Sequence, residues 1–262
     1  KIKEMKILIT GANGYVGSSL YNALKDKYEV TTFNRQKFDL TNSVNTNFYF
    51  KYSWFDVVIH CAVEGGHRLE EDSWDVMDSN LKMYYNLLQN RSSFGKLIHF
   101  GSGAEYLQED KPYGFSKKVI SKSIQTQDQF YNLRIYTVFD ELELDTRFIK
   151  SNLNRYVNKE DMQIHQNKYM DFFYMQDLIK IVDHYILNND LPKQIDCRYE
   201  NIKSLKEICE FINTLDDYKV EIQFQQQGLT SGYTGFNKSL ELDYIGLKQG
   251  IINTYNKLKC NK

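Results

Sequence analysis

The sequence predicts an α/β fold: a doubly wound parallel sheet followed by a small C-terminal lobe. Three observations predict it. Short apolar runs alternate with helical periodicity through the first half of the chain, as parallel strands covered by helices on both faces require. The first run ends in three glycines at G-x-x-G-x-x-G spacing. Hydrophobic residues make up 42% of 262 residues at a net charge of −1, enough apolar material for one large domain or a domain with a smaller lobe.

The first strand is Met5–Ile9, and a helix follows with Val16, Leu20 and Leu24 on one face. Between them lies Gly11-Ala12-Asn13-Gly14-Tyr15-Val16-Gly17. In such a strand–turn–helix unit the first glycine allows the tight turn, the second lets backbone approach a pyrophosphate, and the third lets helix and strand pack closely. The phosphates sit at the positive helix N-terminus. The sheet is therefore expected to be Rossmann-type, with residues 11 and 13–17 holding a dinucleotide.

Tyr28–Phe33 reads as the second strand and ends in Asn34-Arg35. At this point an acid binds a ribose 2′-hydroxyl, whereas an Arg accommodates a 2′-phosphate. No acid occurs before Asp39, so NADP(H) is preferred and NAD(H) remains possible; the alternative is an ordinary surface Arg. Phe55–Ala62 is a continuous apolar strand of the kind buried on both faces. His60 within it reads as a hydrogen-bonded core histidine. The loop Val63-Glu64-Gly65-Gly66-His67-Arg68 stands at a strand end, where open α/β sheets bind ligands. His67 and Arg68 either touch substrate or belong to a solvated loop.

Trp74–Leu88 is helical, Lys96–Phe100 is a strand, and Gly101-Ser102-Gly103-Ala104-Glu105-Tyr106 follows it. Tyr113 opens a helix to about Thr126, and Tyr131–Val138 is the next strand. Later segments are less regular: a helix at Phe148–Val157, an aromatic strand at Tyr169–Tyr174, and amphipathic helices at Gln176–Leu187, Leu205–Ile212 and Leu247–Leu258. The expected division is a cofactor domain at 1–145 and a substrate lobe at 146–262, with segments of the latter returning to the main sheet.

Composition excludes several classes. No basic excess points to nucleic acid, and no apolar run approaches the roughly 20 residues of a membrane span. Lys1–Met5 runs straight into the first strand, which leaves no room for a signal peptide. Cys61, Cys197, Cys209 and Cys260 show no C-x-x-C spacing. They read as reduced thiols of a cytoplasmic protein, with no metal site.

Tyr113 and Lys117 are four residues apart and share a helix face. A free Tyr, with a pKa of about 10, is a poor acid–base group near neutrality. Lowering that value by about three units takes roughly 4 kcal/mol of differential stabilisation, which an adjacent ammonium and an oxidised nicotinamide together supply. Ser102, at a strand end, is placed to hydrogen-bond the same carbonyl oxygen.

This combination resembles the extended short-chain dehydrogenase/reductase family over nearly the whole chain. Gly11-x-x-Gly14-x-x-Gly17 is similar to its cofactor loop, Asp39-Leu40 to its adenine-side Asp-Leu, and His60-Cys61-Ala62 to its His-x-Ala, which puts Cys61 and Ala62 at the cofactor. Asn80 resembles the helix Asn that follows, Ser102 through Tyr106 the Ser-x-x-x-Tyr segment, and Tyr113-x-x-x-Lys117 the catalytic pair. Asp171 through Leu178 is similar to the Arg-Asp-Phe-x-Tyr-Val-x-Asp segment of nucleotide-sugar members, with Met170 where the Arg usually stands. The resemblance implies catalysis by Ser102, Tyr113 and Lys117, cofactor contacts that include Lys117, and substrate contacts by Ser102, Gly103, Ala104, Tyr113 and His67. It also implies a homodimer through helices near 74–90 and 113–127.

The 4,6-dehydratases carry Thr-Asp-Glu where this chain has Ser102-Gly103-Ala104. The GDP-4-keto-6-deoxymannose epimerase/reductases have a similar Val-Gly-Gly loop and use NADPH. Their additional Cys and His acid–base groups correspond by resemblance to Ala104 and Ile149 here, the alternative for the second being Lys150 or His165. The expected activity is NADPH-dependent reduction of the C4 ketone of a nucleotide-linked 4-keto-6-deoxy sugar, without C3 or C5 epimerisation. The alternatives are a nucleotide-sugar 4-epimerase with retained NAD and a non-catalytic cofactor-binding protein.

Overall fold

The computed structural model describes residues 4–33, 35, 38–66 and 70–260. In chain order the first elements are β1 (Lys6–Thr10), α1 (Tyr15–Leu24), β2 (Glu29–Phe33), α2 (Ser43–Lys51), β3 (Phe55–His60), α3 (Trp74–Gln89), β4 (Phe94–Ser102), α4 (Ala104–Leu107), α5 (Pro112–Gln125) and β5 (Phe130–Ile135). They continue with β6 (Val138–Phe139), α6 (Phe148–Val157), β7 (Met162–Asn167), β8 (Tyr169–Met170), β9 (Phe173–Tyr174), α7 (Met175–Leu187), β10 (Gln194–Cys197), β11 (Lys203–Ser204), α8 (Leu205–Ile212), β12 (Ile222–Leu229) and α9 (Leu247–Cys260).

The fold is the α/β, Rossmann-like one that the sequence predicts. Six strands form one sheet in the order β10-β5-β4-β3-β1-β2. β1 pairs in parallel with β2 on one side and β3 on the other, and β3 pairs in parallel with β4. The chain steps from β1 outward to β2 and returns across β1 to β3. The end of β1 is thus the topological switch point, where open α/β sheets bind ligands. Ile7, Leu8, Ile9, Val58, Ile59, Leu97 and Ile98 are completely buried, which is why these strands read as unbroken apolar runs. Leu8, Val58 and Leu97 pack with Phe50, Met83, Leu87, Ile120 and Ile124 from the helices.

The chain divides into two compact units, one made of Lys1–Arg134 with Ile181–Ile195 and the other of Ile135–Lys180 with Asp196–Lys262. In the first, buried Lys96 of β4 donates to the carbonyls of Tyr185 (2.5 Å) and Asn188 (2.6 Å) at the end of α7. A cation thereby satisfies carbonyls that a helix C-terminus leaves open.

The second unit is built from two-stranded ribbons and helices. β7 pairs in parallel with β12, β6 in parallel with β9, and β8 antiparallel with β11. Its core holds Ile149, Leu153, Tyr156, Met162, Ile164, Ile208, Ile212 and Tyr255. A capping box starts α8: Glu207 N–H donates to the Ser204 hydroxyl and Ser204 N–H to the Glu207 carboxylate. Two predicted strands are each broken in two. Tyr131–Val138 ends as β5 at Ile135 and resumes as β6, and Tyr169–Tyr174 is β8 and β9. Among the described residues no helix is long and apolar enough to cross a membrane, and no cluster of His, Cys, Asp and Glu is arranged to hold a metal.

Candidate active site and cofactor cradle

The glycine turn closes directly on the end of β1. Gly11 has φ +68°, a conformation that side chains disfavour, and a Cβ there would stand 2.5 Å from the Ala62 nitrogen. A Cβ on Gly17 would stand 2.3 Å from the Gly11 carbonyl oxygen. Gly14 caps α1 with no side-chain hydrogen bond, and the first turn of α1 contains no acid. The positive end of α1 is therefore left without a side-chain cap or an acid, which fits a pyrophosphate.

A polar clamp joins the ends of β1 and β3. The Thr10 hydroxyl accepts the Ala62 N–H (3.2 Å) and bonds His60 Nδ1 (2.8 Å), while the Thr10 carbonyl accepts the Cys61 N–H (3.2 Å). His60 is thus the hydrogen-bonded core histidine that the sequence predicts. Burial, with the nearby Lys117 charge, pushes its pKa down to about 3. Burial holds the Cys61 thiol protonated. Thr10 itself belongs to no motif that would mark this role in the sequence.

At the second strand's end, Arg35 is largely exposed and its guanidinium lies 2.5 Å from the Glu64 carboxylate. The acid that the sequence lacks beside Arg35 is present in space. Asp39 accepts the Thr41 N–H (2.9 Å) and hydroxyl (2.8 Å), which hold its carboxyl below the usual range. Leu40 is buried in the core, and its carbonyl accepts Asn86 Nδ2. Asn34, His67 and Arg68 lie outside the described residues.

β4 and α5 position the catalytic candidates. β4 ends at Ser102, whose Oγ accepts the Ala104 N–H at 3.2 Å. α5 carries Tyr113 and Lys117 on one face. A Cβ on Gly114 would stand 2.0 Å from the Gln108 carbonyl oxygen and 2.7 Å from that of Ala104. The missing side chain lets α5 press against the turn after Ser102. Lys117 is buried, and its ammonium donates to the Phe100 carbonyl at 2.7 Å, 5.7 Å from the Tyr113 ring centroid. Burial lowers its pKa to about 8, with the Glu105 charge opposing. It remains a cation at neutral pH.

The loop after β3 is tied to this helix. Glu64 N–H donates to Asn80 Oδ1 (2.8 Å), and Asn80 Nδ2 donates to the Glu64 carbonyl (3.0 Å) and to Ser116 Oγ (3.2 Å). Ser116 Oγ in turn donates to the Tyr113 carbonyl (2.7 Å). The backbone at Gly66 lies against the Tyr113 ring, 2.9 Å from the place a Cβ would take.

Beneath Ser102 lies a buried ion pair that no motif in the sequence marks. Glu105 accepts the Ser102 N–H (3.1 Å), Asn132 Nδ2 (3.2 Å), Arg134 Nε (2.9 Å) and Arg134 Nη2 (2.8 Å). Both charged side chains are almost wholly buried. Ala104 is buried too. In the second unit, Ile149 is fully buried in the core.

Comparison with known proteins follows the same lines. GDP-L-colitose synthase of Yersinia pseudotuberculosis is 26% identical over 164 residues, 61% of this chain and 49% of that protein, so the chain spans about half the length of this relative. CDP-abequose synthase of the same organism is 23% identical over 83% of this chain and 87% of its own. The structure of MlghC, a GDP-mannoheptose C4 reductase from Campylobacter jejuni with NADP bound, superposes with a TM-score of 0.79 at 17% identity, covering 98% of this chain and 99% of that one. It shares the fold. The profile of the NAD dependent epimerase/dehydratase family matches residues 7–197, about three quarters of the sequence. From the glycine turn through the Tyr-Lys helix to β10, this chain is therefore a member of the NAD dependent epimerase/dehydratase family.

Proposed function

We propose that this chain is an NADPH-dependent reductase of the C4 ketone of a nucleotide-linked 4-keto-6-deoxy sugar, acting without inversion at C3 or C5. The observation that carries the reading is the Lys117 ammonium seated on the Phe100 carbonyl beside the Tyr113 ring. When bound, the reduced nicotinamide supplies the hydride. Tyr113 donates its phenolic proton to the ketone oxygen as negative charge develops there. Ser102 Oγ holds that oxygen. Lys117, still charged with its pKa near 8, stabilises the phenolate left on Tyr113.

The first unit would bind the dinucleotide through Gly11, Asn13, Gly14, Tyr15, Val16 and Gly17, with Arg35 on the 2′-phosphate. The second would bind the sugar nucleotide. Relatives named as synthases of GDP-linked and CDP-linked sugars, and a like fold named as a C4 reductase, support this substrate class. Inverting a carbon beside a ketone requires a base and an acid on opposite faces. Ala104 and Ile149, both buried, supply neither. Reaction in D₂O, followed by NMR of the product, tests this. C3 and C5 free of deuterium above the non-enzymatic background are expected; enzymatic deuterium at either would refute reduction without epimerisation.

The four cysteines are all free, in keeping with a cytoplasmic enzyme. Trp74, Tyr85, Phe115 and Val119 are exposed on α3 and α5, with Trp74 edge-on to Phe115 at 6.4 Å. We infer that these helices pair in a homodimer, a reading that these exposed apolar side chains support. Light scattering should give twice the chain mass; a monomer would contradict it.

A further inference from the structure

The Arg35–Glu64 ion pair spans the switch point. Arg35 follows β2 and Glu64 follows β3. Those strands lie on opposite sides of β1. Arg35 and Glu64 therefore meet beyond the end of β1, where the Gly11 turn stands. The two partners differ in freedom. Arg35 is 72% exposed, whereas Glu64 is only 26% exposed. The Glu64 backbone is held at both its N–H and its carbonyl by the buried amide of Asn80. The backbone that carries the carboxylate is anchored and its side chain is largely covered, whereas the guanidinium stands mostly in solvent.

A 2′-phosphate that uses Arg35 meets a site already occupied by an anion. It must displace Glu64 from the guanidinium or share it. Displacing it costs the ion pair, and sharing the guanidinium leaves phosphate and carboxylate roughly 6 Å apart. Each pair of unit charges at that separation weakens binding about 3-fold in water-like surroundings and about 100-fold at an effective dielectric of about 20. A ribose 2′-hydroxyl carries no charge and leaves the ion pair intact.

We propose that Glu64 is a specificity-determining residue: an internal anion that occupies Arg35 when no 2′-phosphate is present and narrows the preference for NADPH over NADH. The inference rests on the reading that Arg35 receives the 2′-phosphate. It predicts a chain that discriminates less between the two cofactors than a lone Arg allows.

The test is equilibrium binding by calorimetry, without sugar substrate. The full chain, Glu64→Gln and Arg35→Ala are each titrated with NADPH, NADH and 2′,5′-ADP. Glu64→Gln should tighten NADPH and 2′,5′-ADP about tenfold while NADH changes less than threefold. Arg35→Ala should weaken NADPH and 2′,5′-ADP and spare NADH. If Arg35→Ala has this selective effect and Glu64→Gln leaves NADPH within twofold, the role of Arg35 stands and the inference about Glu64 falls. Equal tightening of NADH and NADPH in Glu64→Gln would also overturn it. If Arg35→Ala affects both cofactors alike, the reading of Arg35 fails, and the inference with it.

Discussion

Glu105→Gln removes one charge from a pair that the protein encloses almost completely. In the wild type the carboxylate accepts both Arg134 Nε (2.9 Å) and Nη2 (2.8 Å), and also the Ser102 N–H and Asn132. Gln keeps the shape but offers one acceptor oxygen and an NH₂ group that faces a donor. The guanidinium is left buried without a counter-charge. Breaking a buried pair from one side costs about 3–5 kcal/mol; the acceptor that Gln retains puts the expectation near 3 kcal/mol. In a chain of this size that lowers Tm by about 6–12 °C. Thermal and urea unfolding would measure it. The double variant Glu105→Gln/Arg134→Met should cost clearly less than the sum of the two singles, because neither charge is then stranded. A loss under about 1 kcal/mol, typical of surface changes, or full additivity would refute the reasoning. A second readout links the pair to chemistry. The Glu105 charge raises the Lys117 pKa against the larger effect of burial, so the variant should move the alkaline limb of the activity profile to lower pH.

Tyr113→Phe should bind cofactor normally and lose about 10²–10⁴-fold in turnover; retention of more than a tenth of the wild-type rate would show that Tyr113 is not the acid. Stability should fall on the acid side. Burial depresses His60 to about 3 and His99 well below its ordinary value, so the folded state stays unprotonated while the unfolded chain takes up protons below about 6.5. The stability these groups contribute is complete above pH 6.5 and is lost as pH falls towards 3, His60 alone accounting for about 2 kcal/mol by pH 5. Urea midpoints at pH 7 and pH 5 check this, and a His60→Asn variant should flatten the dependence.

The first half of the fold was legible because parallel strands buried on both faces carry runs of apolar residues rather than an alternation. β1, β3 and β4 are such runs. The second half hid its strands. β7 buries Met162 and Ile164 alone, and β12 half-covers their partners Ile222 and Phe224 among glutamines, so neither stands out from a polar segment. β10 is four residues long and contains a buried Asp196, whose carboxylate accepts the Phe236 and Asn237 amides. Buried Asp171 sits between β8 and β9 and accepts the Gly235 N–H at 2.6 Å. The stretch that reads as one strand is divided there because its two halves pair with different strands, β8 with β11 and β9 with β6. At the candidate site, Ser102, Tyr113 and Lys117 were legible because their spacing places them on one strand end and one helix face. Glu105 and Glu64 were not. Their partners, Arg134 and Arg35, are each 29 residues away along the chain, and only the sheet order brings them together.

The central claim is net hydride transfer to C4. NADPH deuterated at C4 of its nicotinamide, on either face in separate reactions, should be incubated with 4-keto-6-deoxy sugar nucleotides prepared with different dehydratases. The proposal predicts stoichiometric oxidation of NADPH, with one deuterium delivered from one face to sugar C4 of a single product. Interconversion of C4 epimers without consumption of NADPH, or cofactor binding with no turnover on any such substrate, would contradict it.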